Sequence, residues 1–246
     1  MHSTPERFSP RLIARVWGGI GLFGIAAGFF DIGYVHGHIL VSGDAAATAH
    51  NLLAHMTMYR CGIALHLLMV LLNVLAEVIG FFLFRRVSPL LATMALGCGL
   101  VGASVEGLDM LGSILPLQLQ AGAASGGFNA AQLHELSYLS LRLQDAGLLI
   151  SFLFWGCGEI LTGYLIYCSG FLPRTLGVLL SISGLLYLAD PLLSFAAPGV
   201  AAVIFPAVLA LCLPGELLSA LWMAIWSVDV CRWRAGSEPS GPGQPV

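Results

Sequence analysis

Long runs of apolar residues, each carrying few charged positions and separated by polar turns, set the pattern of this chain. Six runs are read at residues 13–34, 57–84, 89–117, 142–168, 175–195 and 201–226. Runs of roughly 18 or more apolar residues match the hydrocarbon thickness of a bilayer rather than the length of a buried core helix. In lipid a backbone is satisfied only within helices or a closed barrel. Period-two alternation is absent and Leu, Ala and Gly dominate, which selects helices. The pattern predicts an all-α fold: a polytopic membrane helix bundle of about six transmembrane helices. Residues 1–234 form its single membrane domain, and the Ser-, Pro- and Gly-rich end at 235–246 has the composition of a disordered tail.

The arginines give the chain a direction. Arg7, Arg11 and Arg15 precede the first run, Arg85 and Arg86 follow the second, Arg174 follows the fourth, and Arg232 and Arg234 follow the sixth. All eight fall on one side of a six-span topology, which the positive-inside rule makes cytoplasmic together with both termini. Arg60 and Arg142 fall on the other side. The turns ending at Pro89 and Pro173 each place proline at the start of the next helix, where its missing N–H costs nothing. Asn129 is positioned to cap a helix running into the fourth span, after a Gly/Ala/Ser-rich link at 122–130 that reads as mobile. The arginine-flanked start and Ala45-Ala46-Ala47 imitate a cleaved secretory signal. Its apolar run continues past Asp31 and Gly33, so it is read as a retained first span.

Composition narrows the function classes. The chain is 58% hydrophobic and 9% charged, against roughly 25% charged in soluble domains. Its expected partner is therefore the lipid bilayer. A net charge of −3 gives nucleic acid nothing to bind. The six cysteines show no zinc-ligand spacing and read as small packing residues. Gly24 with Gly28, and Gly97, Gly99 and Gly102, have the spacing of close helix contacts.

Comparison of the chain with itself exposes a repeat. Arg60 and Glu77 each lie 82 positions before Arg142 and Glu159. Pro89 to Glu106 and Pro173 to Asp190 are both 17 positions, and Arg15 to Asp31 and Arg174 to Asp190 are both 16. Gly215-Glu216-Leu217 supplies a third copy of the first pattern. The six helices thus read as three repeated hairpins, each with two acids. At about 1.5 Å of rise per residue, Asp31, Glu106 and Asp190 fall in the outer third of the bilayer, and Glu77, Glu159 and Glu216 between its middle and inner third.

The two layers predict different chemistry. Arg60 and Arg142 enter near the outer boundary and can pair with Asp31, Glu106, Asp109, Asp145 or Asp190, as structural ion pairs. The inner glutamates have no Arg at their depth, and an isolated charge there costs at least ~2.5 kcal/mol. They must be protonated, or hydrogen-bonded to Asn73, Thr162 or Tyr164, and serve either to bind helices together or as a proton- or cation-responsive site. Glu216 follows Pro214-Gly215, which is expected to interrupt its helix and free backbone carbonyls. Every histidine except His2 falls in the outer half. His36, His38, His50 and His55, with Met56 and Met58, suit copper-type ligation. His66 is a candidate for haem or metal ligation within a span, against the simpler reading of interfacial histidines.

Residues 152–226 resemble a bacterial integral-membrane family, domain of unknown function 4386. The resemblance rests on Gly163-Tyr164-Leu165-Ile166, Ser169-Gly170-Phe171-Leu172-Pro173, Leu176-Gly177-Val178-Leu179-Leu180, Gly184-Leu185-Leu186-Tyr187-Leu188 and Gly215-Glu216-Leu217. It implies the fold and a bacterial membrane location, and no activity. Where that family has Gly-x-His-Leu in the fourth span, this chain has Gly156-Cys157-Gly158-Glu159, so the resemblance gives Glu159 no role.

Three function classes follow. The first is a small-molecule or ion binding or transport protein whose site is formed by Glu77, Glu159, Glu216 and Asn73, with Glu106, Asp190, Asp31, Arg60 and Arg142 around it. The second is a membrane enzyme or redox protein with a metal or haem at the outer histidines. The third is a non-catalytic assembly subunit. The sequence specifies no cofactor, leaves enzyme status open and is compatible with a homo-oligomer.

Overall fold

The computed structural model describes residues 9–120 and 127–235. The expected tail from 236 and most of the mobile link at 122–130 lie outside them. Helix α1 starts with Pro10 in its first turn and runs to Gly28, continues as a π-helical stretch over Phe29–His36, and ends at Ile39. A short helix α2 (Ala45–Ala54) is capped by Asp44, whose side chain accepts from the Ala47 N–H at 2.8 Å. Then follow α3 (Met56–Phe84), α4 (Pro89–Gln120), α5 (Ala130–Ser169), α6 (Arg174–Ala196), α7 (Pro198–Ile225) and a final turn α8 (Val230–Ala235). Asn129 caps α5 through a reciprocal capping box with Gln132, as expected. Gly170 ends the same helix in the left-handed conformation at φ 68°, which favours glycine.

Among the described residues, five helices are long and apolar enough to cross a membrane: Pro10–Ile39, α3, α4, α5 and α6. The sixth expected span falls on α7, whose apolar stretch counted over described residues is Ala210–Ile225. Five rather than six helices thus satisfy the criterion of length and apolarity. The helices also outrun the expected spans. At about 1.5 Å per residue, the 40 residues of α5 far exceed a ~30 Å hydrocarbon core.

The six long helices form a closed ring. Each packs on its neighbour in the chain, and α7 packs back on α1. Apolar side chains also cover the outside. On α3, Leu67, Leu71, Leu75, Val78 and Phe82 are all exposed at steps of three and four residues, the stripe a helix presents to lipid.

Small residues bring the helices together at points the sequence did not single out. A Cβ at Gly156 would lie 2.6 Å from the Gly184 carbonyl oxygen, and one at Gly163 the same distance from that of Gly177, so α5 and α6 cross nearly backbone to backbone. On α1 the tight position is Gly18, against Ala220 and Ala224 of α7. Gly28 and Gly97 meet nothing, which overturns their reading as contact glycines. The expected break at Pro214-Gly215 is also absent: α7 runs through both. A proline within a membrane helix removes one N–H, a loss that close neighbours make tolerable. Here Gly215 lies against the Leu179 carbonyl of α6.

Two apolar clusters mark the ends of the bundle. One joins Ala14, Leu83, Phe84, Phe171, Leu172, Met223 and Trp233, and the other Val35, Ile39, Leu52, Tyr59, Ile63, Met110 and Leu141. The first end is stitched by residues 227–233, which follow α7. Ser227 Oγ donates to the Arg11 carbonyl at 3.0 Å, Arg232 to the Gly170 carbonyl at 3.1 Å, and the Trp233 indole to the Leu83 carbonyl at 3.1 Å. The Arg86 guanidinium sits 3.7 Å above the Trp233 ring. The segments that carry Arg11, Arg86 and Arg232 therefore share one end.

Candidate functional site

His66 of α3 is 1% exposed and lies between two carboxylates. Its Nδ1 is 2.6 Å from Asp31 Oδ2, and its Nε2 is 3.2 Å from Glu106 Oε1. Asp31 and Glu106 are themselves 5% and 4% exposed. Three helices thus meet on one imidazole, which hydrogen-bonds Asp31 and stands within ion-pair distance of Glu106.

Local structure makes this possible. Asp31 sits in the π-helical stretch of α1, where the wider turn changes the direction of side chains relative to an α-helix. Opposite it, Gly62 leaves the space that Asp31 fills, since a Cβ there would come within 2.7 Å of Oδ1. Nearby, the Tyr59 hydroxyl donates to the Ser113 carbonyl at 2.7 Å, and Ser113 Oγ hydrogen-bonds the Gln144 amide oxygen.

At Asp31 and Glu106 the triad replaces the expected arginine pairs. Arg142 pairs with Asp145, one of its expected partners, one turn along α5 at 3.2 Å, and His36 reaches the same carboxylate at 3.3 Å. Arg60 is exposed and makes no ion pair among the described residues. Asp190 is 1% exposed and neither of its carboxylate oxygens has a hydrogen-bond partner.

The inner glutamates are arranged differently. Glu77 of α3, Glu159 of α5 and Glu216 of α7 line one cavity of about 970 Å³ inside the ring. Asn73, Glu106, Arg142 and Asp145 line it as well. The Glu77 carboxyl occupies the space that a side chain at Gly99 would take. Tyr187 of α6 lies beside Glu216, and among the described residues Glu216 Oε1 and Glu159 Oε2 have no hydrogen-bond partner. Glu159 is within electrostatic reach of both other glutamates. Among the described residues, none of the three forms an ion pair. Of the expected hydrogen-bond partners, Thr162 lines the cavity and Tyr164 faces outward.

Six of the nine carboxylate-site candidates therefore share one cavity. Asp31 is linked to it through His66 and Glu106, whereas Asp190 and Arg60 do not line it. Tyr187, Trp155 and Ser219 are lining residues that the sequence reading did not select. Ser219 lies three positions after Glu216, so helical spacing alone put it on the same face.

The outer histidines are scattered. His38 rests on the Tyr34 ring, and its Nδ1 is 2.6 Å from the Tyr34 carbonyl oxygen. His50 and His55 are exposed on or beside α2, His36 faces Asp145, and His66 is enclosed in its triad. Among the described residues, no group of three His, Cys, Asp or Glu side chains could hold a metal ion. The six cysteines are all free thiols.

Comparison with known proteins gives a family and no chemistry. No solved structure matches the chain. An uncharacterized protein of Archaeoglobus fulgidus is 34% identical over 76 residues, covering 31% of this chain and 43% of the relative. The chain thus matches less than half of that relative's length, and the relative is archaeal where the sequence resemblance implied bacteria. The model of the family described as Domain of unknown function (DUF4386) matches residues 16–226, both halves rather than the second alone. With the match running from the first helix to the end of the last long one, the chain belongs to the DUF4386 family.

Proposed function

We propose that this protein binds or transports a small molecule or ion in the central cavity, through carboxylates that exchange protons or take up a cation. One observation carries the reading. Three glutamates from three separate helices face the same cavity, and among the described residues none has a cationic side chain as partner. Ionisable side chains inside a membrane are costly, and those that face a cavity typically mark a ligand or proton path. A group that only binds helices together is held by partners, as Asp31 is by His66.

The reading includes a topology. Six helices span the plasma membrane of a bacterial cell, with both termini and the Arg11, Arg86 and Arg232 end in the cytoplasm. The three hairpins are then α3–α4, α5–α6 and α7–α1, each an adjacent pair in the ring. The test is Glu216→Gln in purified protein and in vesicles. It is expected to remove the pH dependence of binding or flux while the fold persists; a pH dependence equal to wild type refutes the proposal.

A further inference from the structure

The cavity also indicates what kind of molecule it holds. Its charge is unbalanced. Among the described residues Arg142 is the single basic one in the lining, and Asp145 already pairs with it. Glu106 is engaged by His66 on one oxygen. Glu77, Glu159 and Glu216 then face the cavity with no side-chain counter-charge.

Two buried groups besides these three point to an absent occupant. Ser219, 3% exposed, lines the cavity with a hydroxyl that has no hydrogen-bond partner. Glu106, 4% exposed, has its Oε2 unpartnered in the same lining. Buried polar atoms without partners are uncommon in folded proteins and ask for an explanation such as a missing ligand.

Size and wall chemistry decide between an inorganic ion and an organic one. A cage for a metal ion gathers several oxygen or nitrogen ligands within a few ångströms, and no such group occurs among the described residues. The cavity instead measures about 970 Å³, within the range of pockets for drug-sized molecules. Its wall is mostly apolar, and Trp17, Phe152, Trp155 and Tyr187 contribute aromatic side chains from three helices. Aromatic rings attract organic cations through their quadrupole, most strongly where water is excluded.

Resting on the proposed carboxylate site, we infer that the ligand is a lipophilic organic cation, whose positive centre replaces the protons of the inner glutamates and whose apolar body lies against the aromatic wall. Charge then balances: each cation that enters displaces a proton from a carboxyl group to the aqueous phase. The titratable neighbours of the three glutamates are Tyr187 and Cys212, which face Glu216 and Glu159, and Cys98, which faces Glu77. Glu106, Asp145 and Arg142 complete the ionisable lining, to which α1 contributes no charged group.

The experiment is equilibrium binding of radiolabelled tetraphenylphosphonium to the full chain in lipid nanodiscs, with empty nanodiscs as background. Tetraphenylborate, nearly identical in shape and opposite in charge, is the comparison. The cation is expected to bind saturably, to release protons on binding, and to bind at least about tenfold more weakly when the pH is lowered from mildly alkaline to mildly acidic. Trp155→Leu should weaken it without abolishing proton release, and the borate should not compete. Equal binding of the two ions, or no binding of the cation by folded protein, overturns the inference. Carboxyl-stretch infrared spectra of the same samples separate this from the parent reading. Carboxyl bands that titrate without cation binding remove only the ligand class, whereas bands that never titrate remove the carboxylate site itself.

Discussion

Asp31 and Glu106 close on a buried imidazole at 2.6 and 3.2 Å, whereas Glu77, Glu159 and Glu216 face a cavity of about 970 Å³ without a cation. Both groups draw acids from several helices of the same ring. In the first, a π-turn aims Asp31, Gly62 makes room for it, and His66 reaches one oxygen of each carboxylate. In the second, no acid forms an ion pair among the described residues, and the space between the acids is open. A buried charge pair that is complete holds helices in register, and removing one member leaves the others uncompensated. Carboxyl groups around a hollow hold nothing together, and they remain available to whatever enters.

The comparison can be broken most decisively at its centre. His66→Leu leaves Asp31 and Glu106 buried without a counter-charge, and it should cost about 3–5 kcal/mol of stability. Reversible unfolding in mixed detergent measures this. A loss below about 1 kcal/mol would mean the triad is not what joins α1, α3 and α4. Adding Asp31→Asn and Glu106→Gln to the same chain should restore part of the loss, because the uncompensated charges are gone.

A second change tests whether the ring is held by backbone contact rather than by its acids. Gly163→Val places a branched side chain where the Gly177 carbonyl oxygen would be 2.6 Å from its Cβ. Forcing extra atoms into such a crossing should cost about 1–3 kcal/mol. Cysteine crosslinking between α5 and α6 should report their separation; unchanged crosslinking with full stability would refute the close crossing.

Smaller effects should sharpen the contrast. Tyr187→Phe removes the hydroxyl beside Glu216 and should cost about 0.5–1.5 kcal/mol if that hydroxyl hydrogen-bonds the carboxyl group in lipid. The informative readout is spectroscopic, since the carboxyl stretch assigned to Glu216 by its Gln variant should move. A band that stays in place would show that the Tyr187 contact is not maintained in lipid. The smallest effect should be at Arg142, whose pair with Asp145 is half-exposed. Arg142→Gln should change stability by about 1 kcal/mol or less. A larger loss would give this pair the structural weight assigned here to His66.

Much of the scaffold was legible in the chain. The run at 57–84 became Met56–Phe84, that at 89–117 opened α4 at Pro89, and that at 175–195 became Arg174–Ala196. Prolines and arginine-bearing turns fix such boundaries locally, and so does the Asn129 capping box. The site was legible by layer and not by partner. Glu77, Glu159 and Glu216 were grouped by depth, and they do share a cavity. Asp31 and Glu106 were also grouped by depth, yet arginines were expected beside them and His66 is found. Asp190 had the same depth and joins neither group of contacts.

The sequence by itself determined that the chain is a bundle of membrane helices and where most of them begin and end. These follow from hydropathy, from helix-stop residues and from a fixed rise per residue, all of which act along a single helix. Only the tertiary structure decided which acids meet. That depends on the rotation of each helix about its axis, which is set by contacts between helices such as Gly156 on Gly184 and Gly18 on Ala220. The π-helical stretch of α1 and the unbroken course of α7 through Pro214 belong to the same class. Both depend on neighbours that accept or relieve a local irregularity, and a single helix's residues do not specify those neighbours.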